Sequence, residues 1–185
     1  MPAPRPGRVV IAEPEIRARI ATLGAEIARG YAGEPPVLVG VLQGAFVFMA
    51  DLVRAMPIDL ATDFVRIESY GGGRTSSGRV RLAADLATPI EGRDVLVVED
   101  IVDTGRTLAA LRRTLEARRP RSLRVCALCD KVERRQVDVR LDWVGFTIPN
   151  VFVVGYGLDD AGLYRNLPDV VALEGGSAAR RVIGP

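Results

Sequence analysis

A chain of 185 residues, 48% hydrophobic and 26% charged, has the size and composition of one globular domain with a substantial core, which excludes a disordered or fibrous protein. Its formal net charge of +2 is too small to imply a general nucleic-acid surface. The absence of histidine excludes zinc catalysis, Ser-His-Asp triads and Cys-His dyads, leaving carboxylates, phenols, a lysine and a divalent metal as the chemical groups to consider.

Taken in chain order, the opening MPAPRPGRVV lacks the apolar stretch of a signal peptide, and no apolar run reaches the roughly 18 residues needed to span a bilayer; a cytoplasmic protein without membrane contact is expected. Apolar residues at Ile16, Ile20, Leu23 and Ile27 predict an amphipathic helix over Glu13–Arg29, ended by Gly30. Val37–Leu42 reads as a buried strand and Ala45–Met56 as the helix after it. Ala61–Ser69 alternates like a strand. A glycine- and serine-rich stretch follows, and Arg79–Ala83 reads as a return strand; residues 69–84 are expected to form a lid loop. Val95–Val98 predicts a strand buried on both faces, and Thr107–Ala117 a helix. A strand is predicted at Leu123–Cys129, with apolar stretches at Leu141–Ile148 and Val151–Tyr156 and a short strand near Val170–Leu173. The remainder, 175–185, reads as a loose tail.

Strands alternating with helices indicate an α/β fold with a mostly parallel central sheet flanked by helices. The first helix and the late strands, about 10–30 and 150–175, are expected to pack as a small cap on the carboxyl edge of that sheet within a single domain spanning 1–185. Cys126 and Cys129, three apart on a strand, should point to opposite faces and serve as packed thiols.

The informative segment is VLVVEDIVDTGRTL, Val95–Leu108. Four apolar residues run into two acids, Glu99 and Asp100, and then into the loop Asp103-Thr104-Gly105-Arg106-Thr107. Backbone N–H groups and hydroxyls at a helix N-terminus can converge there on a phosphate. The loop also sits where ligands bind open α/β sheets, outside the carboxyl ends of parallel strands. Neither G-x-G-x-x-G nor G-x-x-x-x-G-K-[ST] occurs.

Two acids followed by D-T-G-[RK]-T resemble the phosphoribosyl-diphosphate signature of type I phosphoribosyltransferases. Asp103 places the resemblance in the 6-oxopurine branch, the bacterial hypoxanthine-guanine phosphoribosyltransferase family, since the adenine and orotate branches generally carry a small residue there. The resemblance covers roughly residues 10–170 through Leu42-Gln43-Gly44, Ser69-Tyr70, Lys131, Phe152-Val153-Val154-Gly155-Tyr156, and Asp159 through Arg165. Lys131 carries weight of its own: of 25 basic residues 24 are arginine, and this is the one lysine. A compact ammonium can donate to a single carbonyl oxygen where a planar guanidinium would be bulky.

The resemblance implies a Mg²⁺-dependent purine-salvage transferase. It would move the 5-phosphoribosyl group from 5-phosphoribosyl 1-diphosphate to N9 of hypoxanthine or guanine, giving IMP or GMP and pyrophosphate. By the same resemblance Glu99 and Asp100 hold the ribose hydroxyls, both reaching one sugar only if their strand ends there. Asp103 is the general base or acid near purine N7. Thr104, Gly105, Arg106 and Thr107 hold the 5′-phosphate, and Gln43, Gly44 and Arg165 belong to the diphosphate site. Lys131 contacts O6, Phe152 stacks on the purine, Val153 reads its edge through the backbone, and Asp159 adjoins the base and the metal. Glu99, Asp100 and Asp159 are the metal-associated carboxylates, and Ser69 and Tyr70 open the lid. Gln43 departs from the basic residue many relatives have between leucine and glycine. A homodimer or homotetramer is implied.

Two other readings keep the fold. One is a regulatory RNA- or DNA-binding protein whose footprint would be Arg112, Arg113, Arg118, Arg119, Arg121 and Arg124. The other is a ribose-phosphate binding module without catalysis.

Overall fold

The computed structural model describes residues 6–31, 33–69 and 80–173. Their elements run β1 (Pro6–Ile11), α1 (Glu13–Arg29), β2 (Val37–Leu42), α2 (Phe46–Ala55), β3 (Ala61–Ser69), β4 (Val80–Ala84), β5 (Asp94–Val102), α3 (Arg106–Glu116), β6 (Ser122–Asp130), a single 3₁₀ turn (Val132–Arg134), β7 (Trp143–Thr147), β8 (Val153–Val154) and β9 (Val170–Leu173). Of the expected lid, Ser69 closes β3, whereas Tyr70 and the residues through 79 lie outside the described residues, as does the tail.

A six-stranded sheet in the order β4-β3-β2-β5-β6-β7 forms the centre. Its pairs from β3 to β7 are parallel, and β4 is an antiparallel edge on β3. β2 and β5 occupy the middle and are buried on both faces, as uninterrupted valine- and leucine-rich runs require. One face carries the cluster of Leu38, Phe48, Leu52, Leu96, Val98 and the apolar stripe of α1; the other carries Val37, Val39, Val95, Val97, Leu111 and Leu115.

The helix α1 begins where expected: Glu15 accepts a hydrogen bond from the Ala12 N–H at 2.9 Å, and the Glu13 N–H donates to Asp169 Oδ1 at 2.8 Å. Its buried stripe packs on α2 and β7, and Gly24 lets the two helices approach closely, since a Cβ there would lie 2.4 Å from the Ala55 carbonyl oxygen. The small second sheet, β1-β9-β8, takes in the expected late strands but not the first helix. Its first strand is Pro6–Ile11, a segment whose mixed composition hides its pairing with β9, while α1 belongs to the flank of the central sheet.

One further correction concerns β5. It does not stop at Val98 but continues past the two acids to Val102, paired with β6 as far as Asp130. Its alternation slips on the way: Leu96, Val98 and Ile101 contact one core cluster, Val95, Val97 and Val102 the other. The pairing register passes over Asp100, and the Ile101 N–H donates to Asp100 Oδ1 at 2.8 Å. The same slip on β6 puts Cys126 and Cys129 into one cluster rather than on opposite faces; both are free and buried. Among the described residues no helix is long and apolar enough to cross a membrane.

Candidate active site

Four chain segments meet at the carboxyl ends of β2, β5 and β6. The first is the Asp103–Thr107 loop. Gly105 adopts φ +80° and stands before α3 without a side-chain cap, so the first-turn N–H groups of α3 begin directly beyond Asp103 and Thr104. Glycine is required there on two counts: the left-handed backbone, and a Cβ that would lie 2.9 Å from the Val137 carbonyl oxygen. The N–H groups of Gln136 and Val137 donate to the Thr104 carbonyl at 3.0 and 3.2 Å, which docks the segment after β6 onto the loop. Thr107 lies inside the first turn of α3 and is not its cap.

The second segment is that following β6. The Lys131 N–H donates to the Val102 carbonyl at 3.0 Å, holding the lysine beside the exit of β5. Its side chain is buried, at 7% exposure, although it is the single lysine of the protein. Burial lowers its proton affinity below that of an ordinary lysine, and the neighbouring charge of Asp103 opposes this. Asp103 itself receives the Arg134 Nε–H at 2.8 Å, a partner the sequence reading missed. Behind it, Asp130 Oδ1 accepts from Arg135 Nε at 3.1 Å and Nη2 at 2.8 Å, fixing the turn from the core side.

The third segment is the Leu42–Gln43–Gly44 turn between β2 and α2, whose Leu42–Gln43 peptide is cis. Gly44 has no room for a side chain, because its Cβ would fall 1.5 Å from Asp100 Oδ2. The fourth segment, residues 155–167, arches over that turn: Gly157, at φ +96°, would bring a Cβ within 2.3 Å of the Gly44 carbonyl oxygen. Asp100, Gly44 and Gly157 thus stack in direct contact, and the spacing of one acid and two glycines far apart in sequence gave no sign of it. Arg165 braces the arch, donating to the Gly157 carbonyl at 2.6 Å and pairing with Asp159 Oδ1 at 2.7 Å. The second oxygen of Asp159 accepts the Gly162 N–H at 2.7 Å. The Tyr156 hydroxyl donates to Asp51 of α2, tying the arch to the scaffold. Phe152 stands partly exposed at 38% just before β8, whereas Val153 is buried and paired with Ala172.

The electrostatics centre on Glu99 and Asp100. Burial, then the charge of Asp100, pushes the Glu99 carboxyl well above the ordinary range. Burial also pushes Asp100 up, to about 6, with the N–H groups of Ile101 and Asp100 and the charge of Arg165 working against it and Asp159 adding to it. Adjacent carboxylates this short of counter-charge favour a cation. Mg²⁺ keeps several waters and takes one or two protein carboxylates beside substrate phosphates. Asp100 and Asp159, close enough to feel each other, suit such a hydrated ion. A cage built from Glu99, Asp100 and Asp159 together is not formed: among the described residues no three metal-ligating side chains come together.

A broad concavity lined by Tyr31, Pro35, Met56 and Asp59 lies at the opposite, amino-terminal edge of the sheet and brings no comparable set of polar groups together. The arginines of the alternative nucleic-acid footprint are largely committed elsewhere. Arg112 pairs with Glu116, Arg118 with Asp85, Arg119 with Glu91 and Arg121 with Asp94, while Arg124 lies over Tyr31 and Trp143.

The central parallel sheet carries the Asp103–Thr107 loop and two acids at its carboxyl edge, and the family model for the phosphoribosyl transferase domain matches residues 10–161, which makes the chain a phosphoribosyltransferase. Among curated proteins, the hypoxanthine phosphoribosyltransferase of Salmonella typhimurium is 50% identical over 164 residues, covering 88% of this chain and 92% of that protein. The hypoxanthine-guanine phosphoribosyltransferase of Bacillus subtilis is 44% identical over 167 residues, 90% and 93% of the respective chains. A crystal structure of a hypoxanthine phosphoribosyltransferase from Staphylococcus aureus superposes with a TM-score of 0.89 at 42% identity, covering 91% of this chain and 92% of that one. The chain belongs to the phosphoribosyltransferase family and, within it, is an enzyme of the hypoxanthine(-guanine) type.

Proposed function

We propose that this protein transfers the 5-phosphoribosyl group of 5-phosphoribosyl 1-diphosphate to N9 of hypoxanthine or guanine, forming IMP or GMP and releasing pyrophosphate. The observation that carries this reading is the burial of the one lysine, Lys131, beside Asp103 at the mouth of the phosphate loop. An ammonium and a carboxylate next to one another suit a 6-oxopurine: the first donates to O6, the second meets N7. Adenine offers an amino group where Lys131 needs an acceptor.

In this reading Thr104 to Thr107 and the start of α3 receive the 5′-phosphate. Phe152 supplies a face for the purine, and backbone groups around Val153 meet its edge. The C1′–O bond to pyrophosphate breaks as the N9–C1′ bond forms, and the proton lost by the base passes to Asp103, worth roughly 10²–10⁴-fold in rate. Although β5 runs on past them, the slip in its alternation at Glu99 and Asp100 lets both stand near the ribose and stabilise positive charge developing on it. Gly44, Gln43 and Arg165 face the leaving group, with Arg165 aimed by Asp159 and the Gly157 carbonyl. A Mg²⁺ ion held by Asp100 and Asp159 through its waters would neutralise and orient the diphosphate.

The test is pyrophosphate release with Mg²⁺, 5-phosphoribosyl 1-diphosphate and, separately, hypoxanthine, guanine, xanthine and adenine. Turnover of hypoxanthine or guanine is expected; activity with adenine alone would overturn the assignment. Omitting Mg²⁺ should abolish turnover, and full activity in chelator would remove the metal from it.

A further inference from the structure

We propose that Arg134 is a positioning residue for proton transfer, holding the Asp103 carboxylate by one oxygen so that the other faces the purine; this rests on the reading of Asp103 as the proton acceptor. The pair is single-pronged, from Arg134 Nε to Asp103 Oδ1 at 2.8 Å. A carboxylate bound at one oxygen keeps the second free in a fixed direction, whereas an unanchored aspartate rotates about χ1 and χ2.

The backbone fixes where this anchor stands. Lys131 and Arg134 bracket a single 3₁₀ turn, closed by the Arg134 N–H donating to the Lys131 carbonyl at 2.9 Å. Residues three apart eclipse on such a turn, so both cations stand on one side of it, and both act on Asp103. The residues that follow are docked to the Thr104 carbonyl, and Arg135 is locked to Asp130, so the turn cannot shift without moving the phosphate loop. Arg134 thereby ties the group that meets O6, the group that meets N7 and the loop that holds the 5′-phosphate into one rigid unit.

Stability does not account for the pair. The side chains are 45% and 41% exposed, and ion pairs that open to water contribute little to folding. A purine closing the mouth of the site removes that water and strengthens the contact when it is needed.

Single-turnover rates, steady-state KM values and melting temperatures of Arg134→Gln, Arg134→Lys, Asp103→Asn and the double variant Asp103→Asn/Arg134→Gln test this. Arg134→Gln should slow the single-turnover rate by about 5- to 20-fold, with KM for 5-phosphoribosyl 1-diphosphate within about twofold and the melting temperature unchanged. Arg134→Lys should recover to within about threefold of the native rate, since it restores one charged donor. The double variant should be no slower than Asp103→Asn alone, because a positioner without its target has nothing to lose. Multiplying losses in the double variant, or a native rate in Arg134→Gln while Asp103→Asn is slow, would overturn the role of Arg134 and leave that of Asp103 standing. A native single-turnover rate in Asp103→Asn would instead remove the proton acceptor, and this proposal with it.

Discussion

Asp103 and Lys131 lie far apart in the chain and side by side in the fold, and their substitutions should separate the two halves of the reaction. Asp103→Asn keeps shape and loses the acceptor, so kcat should fall about 10²-fold or more while KM for the sugar diphosphate changes little; steady-state kinetics decide, and an equal loss in both would point to a binding role. Lys131→Ala removes a charged donor from a buried position, and KM for hypoxanthine should rise by about 10- to 100-fold with binding of the sugar diphosphate preserved. Both residues were legible in the sequence, Asp103 by its motif and Lys131 by its uniqueness. Arg134 was not, because an arginine among 24 carries no signal until a turn is seen to aim it.

Among the elements, β5 shows why local reading stops short. Its apolar run predicts a buried strand, and the acids predict an end to it, yet pairing with β6 carries the strand on to Val102. Cooperative ladder bonding outweighs the polarity of two residues, and the alternation slips at Glu99 and Asp100 rather than ending. The arch of residues 155–167 depends in the same way on contact with another segment. Gly157→Ala, at φ +96° and 2.3 Å from the Gly44 carbonyl, should push the Gly44 turn away and raise KM for the sugar diphosphate more than it alters KM for the base. If substrate titrations show both rising equally, the arch does not act through Gly44. Gly24, at the crossing of α1 and α2, makes the opposite case: Gly24→Ala should destabilise by about 1–3 kcal/mol in urea titrations and leave the kcat of the folded protein intact.

At the scale of the molecule, two groups of carboxylates pull stability in opposite directions with pH. Against the burial that would raise it, the N–H groups of Thr88 and Phe64 hold Asp63 below the ordinary range; Arg118 does so for Asp85, and Arg121 with Ser122 for Asp94. Such groups add stability above an unfolded pKa of about 4 and lose it as pH falls through their lower folded values. Glu99 and Asp100, pushed up by burial, act in reverse: their contribution is whole below about pH 4 and is lost as pH rises through the folded value, about 6 for Asp100. The melting temperature of the ligand-free protein should therefore peak near pH 4 and fall on both sides. Asp100→Asn should flatten the descent between about pH 4 and 6 while abolishing activity; an unchanged slope in thermal scans would show that Asp100 titrates normally.

Sequence alone was sufficient for the alternation of strands and helices, the two-faced burial of β2 and β5, and the loop Asp103–Thr107, because each depends on neighbours within a few residues, where periodicity and turn chemistry operate. It also marked Lys131, since composition made that residue an exception. Only tertiary structure decided that Pro6–Ile11 is a strand, that Asp100, Gly44 and Gly157 touch, that Asp159 is bound up with Arg165, and that Arg134 meets Asp103. Apart from the Asp159–Arg165 pair, those contacts join segments distant in the chain, and their partners are set by how the sheet orders its strands, a global outcome that no local window of residues contains.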